Sequence, residues 1–377
     1  MAAPRIILMY ITEISGHHSA TLAVENAIKT LNSDAEILNI NAFNYTNPIS
    51  EKVVNQIYMG VIKKVPQIWD YLYDNPSIAK RIEKIKASIH KFNSPKLKNL
   101  FDNFKPDVVA CSQAFPCGMV ADFKKHYRSS LPLVAILTDY VPHSYWLYDT
   151  VDYYVAPSRE VAESLIKKGI LEEKIKPLGI PIDPKFKAEV KRGEIRKEFN
   201  LAADKFTVLI MGGGQGLGPI KKIVKSLEGI NNHIQEIIIT GSNKKLYASL
   251  KTKIKKYKKS ILLFEYSDRI HELMGISDLI ITKPGGITTA EVLTKRLPMI
   301  IIHPIPGQEE SNTNYLTGHN AAIRLDDPQE AGLVIKGLLD NPQKLKYLAE
   351  SARRLSKPDA SLDIAKLLLN LAQQKNV

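Results

Sequence analysis

Short apolar runs alternate with amphipathic helical stretches along the whole chain. Apolar, β-branched runs of this length predict buried strands of a parallel sheet, and the helices between them cover both sheet faces. In the first half the predicted strands are Arg5–Tyr10, Glu36–Asn39, Val108–Ser112, Leu133–Thr138 and Tyr153–Ala156. The second half starts anew with Thr207–Met211, Glu236–Thr240, Ile261–Phe264, Leu279–Thr282 and Met299–Ile302. The fold class is therefore α/β, two doubly wound Rossmann-like units. The seam is expected near Leu178-Gly179-Ile180-Pro181-Ile182-Asp183-Pro184, where two prolines and a glycine suit a linker. The expected domains are 1–182 and 183–358. A last helical pattern, Leu362 to Ala372, falls in 359–377 and is of the kind that packs back on a first domain.

Ligands of open parallel sheets sit at the carboxyl ends of the strands, so the loops after strands are the ones to read. After the first strand comes Glu13-Ile14-Ser15-Gly16-His17-His18-Ser19. Ser15 or Ser19 suits a helix cap, which places His17 and His18 at a helix N-terminus. The dipole there favours a neutral imidazole, able to take a proton from a hydroxyl. After the fourth strand, Thr138-Asp139 sets a carboxylate at a strand end, with His143 and Trp146 nearby. After the first strand of the second half, five glycines in seven residues, Gly212 to Gly218, allow close backbone approach. That loop lacks the acidic residue of a dinucleotide site and the Gly-Lys-Ser/Thr of a triphosphate loop.

The richest stretch is Ile280 to Glu291. A strand runs into Lys283-Pro284-Gly285-Gly286 and then into a helix start, an arrangement that binds phosphate through backbone N–H groups and the helix dipole. Glu291 lies about one turn further on, within reach of sugar hydroxyls. A second polar loop, Pro304-Ile305-Pro306-Gly307-Gln308-Glu309-Glu310-Ser311-Asn312, follows the next apolar run. Together they read as the donor site of an enzyme using a sugar nucleotide. No Asp-x-Asp stands at a strand end, so neither a metal nor another cofactor is expected.

Charge changes the picture of partners. The chain has 377 residues, a net charge of +13 and 44% apolar residues, a globular composition that favours an anionic partner. Cys111 and Cys117, the only cysteines, read as reduced cytosolic thiols. The N-terminus reads as a strand rather than a signal peptide, and no run reaches the roughly 20 apolar residues of a membrane span. Membrane contact is thus expected at a surface. Tyr58 to Lys91 mixes aromatic residues, Trp69 among them, with Lys63, Lys64, Lys80 and Arg81, a composition suited to a membrane interface. Lys244 to Lys259 carries eight lysines in sixteen residues and reads as a solvated helix face.

The pattern Gly16-His17, Thr138-Asp139, the Gly212–Gly218 loop, Lys283-Pro284-Gly285-Gly286-Ile287-Thr288 and Pro304-Ile305-Pro306-Gly307-Gln308-Glu309 resembles glycosyltransferase family 28. Within that family it is most like the diacylglycerol glycosyltransferases. The resemblance implies a two-domain GT-B fold facing a cleft, with the acceptor in the first domain and the UDP-sugar in the second. It implies inverting, metal-independent transfer of glucose or galactose to diacylglycerol by a peripheral enzyme of the cytoplasmic membrane face, with no nucleic-acid partner. It further implies that Glu291 holds the ribose, that Gln308 and Glu309 read the sugar with help from Asn312, and that Gly213, Gly214 and Gly216 face the diphosphate and sugar. Gly285, Gly286, Ile287 and Thr288 grip the phosphates, and His17 and Asp139 activate the acceptor. Three alternatives stay open from the residues: a polyprenyl-diphosphate-linked acceptor, a UDP-sugar 2-epimerase of the same architecture, and a non-enzymatic binder of anionic lipid or nucleic acid.

Overall fold

The computed structural model describes residues 2–13, 15–42, 95–230, 233–257 and 259–374. The described chain divides into two compact units. One comprises Met1–Pro184, Ile305–Gln308 and Asp359–Val377; the other comprises Lys185–Pro304 and Glu309–Pro358.

The first unit is built on a six-stranded parallel sheet in the order β2-β1-β3-β4-β5-β6. Its strands are β1 (Arg5–Tyr10), β2 (Glu36–Asn41), β3 (Val108–Cys111), β4 (Leu133–Ile136), β5 (Tyr153–Val155) and β6 (Ile175–Lys176). Helices α1 (Gly16–Leu31), α2 (Ala114–Tyr127) and α3 (Arg159–Lys167) cross over between strands. Ser15 caps α1, its hydroxyl accepting from the His18 N–H. Of the two serines that suited the cap, Ser15 fills it.

The second sheet is also six-stranded and parallel, in the order β12-β11-β10-β7-β8-β9. Its strands are β7 (Phe206–Met211), β8 (Ile234–Ile239), β9 (Ile261–Phe264), β10 (Leu279–Thr282), β11 (Met299–Ile302) and β12 (Ala322–Leu325). Its helices are α4 (Arg192–Glu198), α5 (Ile220–Leu227), α6 (Lys244–Lys253), α7 (Ile270–Ile276), α8 (Gly286–Thr294), α9 (Gln308–Gly318), α10 (Ala331–Leu339) and α11 (Pro342–Leu355). Ile220, Ile223, Val224 and Leu227 of α5 share one buried cluster with Leu246 and Leu250 of α6 and with Val208, Ile210 and Ile238 of the sheet. Those strand residues are in register and of one parity, so α5 and α6 cover the same sheet face.

A last helix, α12 (Ala360–Gln374), belongs to the first unit. Ile364, Ala365 and Leu368 pack in one core with Val24, Ala27 and Ile28 of α1 and with Ile6 and Leu8 of β1. Two strands, β6 and β12, join those that the apolar runs predicted. Both lie at sheet edges, and both are short with a Lys or Arg in them. Among the described residues, no helix is long and apolar enough to cross a membrane.

Candidate functional site

Each sheet has a topological switch point, where the chain turns from building one side to building the other. Crevices at the carboxyl ends of strands form there. In the first sheet it falls between β1 and β3; in the second, between β7 and β10.

His17 lies at the first of these. It follows β1 in the opening turn of α1, half-buried. Its Nδ1 is 2.8 Å from the Ser112 carbonyl, just past β3, and 3.2 Å from the Thr138 hydroxyl, just past β4. A carbonyl only accepts, so Nδ1 carries the proton. Nε2 is then the basic nitrogen of the neutral ring. The Ser112 hydroxyl in turn donates to the His17 carbonyl at 2.9 Å. Burial pulls the His17 pKa down, while Asp139 and the Ser112 carbonyl oppose that pull. Asp139, half-buried, is therefore close enough to stabilise an imidazolium once it forms.

His18 is turned to a different task. Its ring stacks on Tyr10 at 4.1 Å, and its Nδ1 meets the Glu13 carbonyl at 2.8 Å. The Tyr10 hydroxyl donates to Glu13 Oε2 at 2.7 Å. These contacts hold the turn after β1.

At the second switch point the loops after β7, β10 and β11 leave neighbouring strands. Helix α8 begins at Gly286, and its cap, Gly285, makes no side-chain hydrogen bond. Backbone N–H groups of such a first turn are suited to an anion. Thr289 donates to the Gly285 carbonyl at 2.8 Å, and the buried Asn312 side chain donates to the Pro284 carbonyl at 2.9 Å. Asn312 thus ties α9 to the Pro-Gly-Gly turn. Lys283 is buried at the end of β10, and its Nζ lies 2.8 Å from Glu309 Oε1. Lys283 is no surface lysine; its charge is met by the carboxylate after the adjacent strand. Glu291 and Gln308 are half-buried.

The glycine loop is held by its own backbone. Gly216 N–H donates to Gly213 O at 3.0 Å, and Leu217 N–H to Gly212 O at 2.9 Å. At Gly216, with φ +58°, an added Cβ would stand 1.9 Å from the Thr240 carbonyl oxygen. Its glycine serves packing against the β8 loop. Gly213, with φ +68°, has open space where a Cβ would go, and Gly214 is exposed.

Three features escaped the sequence. Ser112 clamps His17, a role that depends on β1 and β3 being neighbours. Thr12 and His303, just past β1 and β11, have φ +66° and +46°. Such left-handed backbone in a β-branched residue, and in one preceding proline, is strained and collects at functional sites. The stretch holding Lys63, Lys64, Trp69, Lys80 and Arg81 lies outside the described residues.

Comparison with known proteins bears on the family and the fold. Residues 17–182 match the family model of monogalactosyldiacylglycerol (MGDG) synthase, and residues 207–368 match the glycosyltransferase family 28 C-terminal domain. A processive diacylglycerol beta-glucosyltransferase of Bacillus mycoides is 26% identical over 374 residues, covering 97% of this chain and 93% of the relative. Its namesake in Bacillus subtilis is 29% identical over 323 residues, covering 85% and 83%. Among solved structures, Acinetobacter baumannii MurG superposes with a TM-score of 0.64 at 14% identity, over 97% of this chain and 99% of that one. S. aureus MnaA with UDP superposes with a TM-score of 0.66 at 15% identity, over 98% and 97%. These two share the fold. With both family models in place across its length, the chain belongs to glycosyltransferase family 28, as an enzyme of the GT-B fold that transfers a hexose from a UDP-sugar.

Proposed function

We propose that this enzyme moves glucose or galactose from its UDP-sugar to the free hydroxyl of diacylglycerol, with inversion at the anomeric carbon, while held on the cytoplasmic face of an anionic membrane. The observation that carries the chemistry is the imidazole of His17, with Nδ1 held against the Ser112 carbonyl and Nε2 left as the base. The names of the relatives, diacylglycerol beta-glucosyltransferases, support the lipid acceptor.

In this reading Nε2 of His17 takes the proton of the acceptor hydroxyl. The oxygen forms its bond to the anomeric carbon as the bond from that carbon to the UDP oxygen breaks. Asp139 stabilises the imidazolium. The N–H groups of Gly286, Ile287 and Thr288, beside Gly285, receive the charge that develops on the leaving diphosphate, so the reaction calls for no metal or other cofactor. Glu291 holds the ribose. Gln308 and Glu309 read sugar hydroxyls, Glu309 being oriented by Lys283, and Asn312 keeps their helix in place. Gly213 and Gly214 approach the diphosphate by backbone, with Gly216 setting the loop. Lys63, Lys64, Trp69, Lys80 and Arg81 meet the membrane and the acceptor lipid.

The test is incubation of the pure protein with radiolabelled UDP-glucose or UDP-galactose and diacylglycerol vesicles, with and without EDTA. Labelled glycolipid with the opposite anomeric configuration to the donor, formed equally with EDTA present, is the expected result. Absence of lipid-soluble label with both donors overturns the acceptor. Isomerisation of a UDP-sugar at C2 without any acceptor supports the epimerase reading instead.

A further inference from the structure

The second unit carries a charged face that neither the donor site nor the core explains. Helices α5 and α6 lie side by side over the same face of the sheet, their apolar residues turned into one core. Their outer surfaces are cationic. Lys221, Lys222 and Lys225 of α5 are exposed, as are Lys251 and Lys253 of α6 and Lys255 just beyond it. Between Ile220 and Ser260 the chain has two acids, Glu228 and the buried Glu236, and no arginine.

What sets these lysines apart is their density in a stretch so poor in acids. Among the described residues other exposed lysines, such as Lys125 and Lys336, are also without an ion pair but stand outside such a cluster, and some are matched by a neighbour. Lys29, Lys98, Lys191 and Lys366 each pair with an acid one helical turn away. Among the described residues none of the six is ion-paired, and Lys251 instead lies over the Tyr247 ring at 5.6 Å. Their mutual repulsion is uncompensated within the fold, which suits a surface that meets an anion. Lysine is a compact point charge without the fork that reads a single phosphate in a fixed geometry. A broad helical face of lysines, with a tyrosine among them, matches a diffuse sheet of anionic headgroups better than the groove of a nucleic acid.

We propose that the α5–α6 face is a membrane-docking surface for anionic lipid, separate from the stretch between Tyr58 and Lys91. The proposal rests on the lipid-acceptor reading above. Docking through this face keeps the sugar-nucleotide unit itself on the bilayer, so that it is not merely tethered there by the first unit.

The test compares the wild-type chain with a variant carrying Lys→Ser at 221, 222, 225, 251, 253 and 255, and with Lys→Arg at the same positions. Each is sedimented with vesicles of equal parts phosphatidylglycerol and phosphatidylcholine, and with phosphatidylcholine alone, in the absence of diacylglycerol and UDP-sugar. UDP binding by calorimetry reports that each variant is folded. Wild type is expected to bind the anionic vesicles in a salt-sensitive way, and the Ser variant to bind at least about tenfold more weakly. The Arg variant should match wild type. Equal vesicle binding by wild type and the Ser variant overturns the proposal. So does lysine-dependent binding to a DNA oligonucleotide without vesicle binding. Turnover of diacylglycerol dispersed in neutral detergent micelles tests the acceptor reading on its own. Lysine-dependent docking without turnover sinks that reading and leaves the surface standing; turnover without such docking does the reverse.

Discussion

His17 and Ser112 hold each other at two points: the ring Nδ1 against the Ser112 carbonyl at 2.8 Å, and the Ser112 hydroxyl on the His17 carbonyl at 2.9 Å. The two residues are 95 positions apart; His17 lies in the first turn of α1, which follows β1, and Ser112 directly follows the adjacent strand β3. The clamp fixes both the tautomer and the ring's orientation. In the proposed mechanism a ring held this way is the base, and Asp139 has the supporting part. The same logic recurs in the second unit, where Lys283 and Glu309 follow the adjacent strands β10 and β11.

The pH dependence of turnover should report this arrangement. In the proposed mechanism the base is the neutral imidazole, so the rate rises as pH climbs through the His17 pKa. Burial lowers that pKa from the ordinary 6.5, with Asp139 and the Ser112 carbonyl opposing. The acid limb of kcat is therefore expected below 6.5. Asp139→Asn removes an opposing charge, so the limb should move further toward acid while the plateau falls. His17→Ala should lose roughly 100-fold or more in kcat with UDP binding intact. A limb that stays in place in Asp139→Asn would take that residue out of the mechanism.

Lys283 is buried and Glu309 half-buried, and removing either weakens the charge compensation of the other. Lys283→Met should destabilise the protein by about 2 kcal/mol in denaturant unfolding, and Glu309→Gln should cost less because an uncharged acceptor remains for the lysine. The double variant should recover part of the Lys283→Met loss. Additive losses in this cycle would mean that the 2.8 Å contact carries no coupling.

Much of this was legible in the chain before its structure. Buried strands such as Leu279–Thr282 and Met299–Ile302 read as apolar runs because both of their faces are covered. The edge strands β6 and β12 did not, since an exposed edge tolerates Lys176 and Arg324. His17 was visible from its place after the first strand. Its clamp was not, because strand order is a long-range fact that no local pattern encodes. His303 ran against the local rule: a residue before proline is expected to be extended, and here φ is +46°. The pairing of Lys283 with Glu309 likewise depends on β10 and β11 lying together.

Two glycines of the same loop should behave differently. Gly213→Ala meets open space and faces only the left-handed backbone, a loss of about 1–2 kcal/mol. Gly216→Ala drives a methyl into the Thr240 carbonyl, and roughly 3 kcal/mol or more is expected. Thermal unfolding of the two variants compares them directly. Equal losses would mean that the loop moves away from β8 at little cost.

Glu236 predicts a pH effect on stability with no link to catalysis. It lies on β8, 1% exposed, and its Oε2 has no hydrogen-bond partner. Burial raises its pKa from 4.5 to about 7, with Lys259 opposing and Glu228 adding to the rise. The folded state thus prefers the protonated acid. Its contribution to stability is complete below 4.5, the unfolded value, and is lost as pH rises through about 7. At 1.36 kcal/mol per unit, about 3 kcal/mol is at stake. Glu236→Gln keeps the shape and removes the titration. It should flatten the stability profile between about pH 5 and 8 and exceed wild type at the upper end. Lys259, whose own pKa burial lowers, sharpens the test. Lys259→Met removes the charge that favours the Glu236 carboxylate, so the Glu236 transition should move to higher pH. Urea unfolding of the three proteins across that range gives the answer. A wild-type profile as flat as that of Glu236→Gln would show that the carboxylate finds water or a partner in solution.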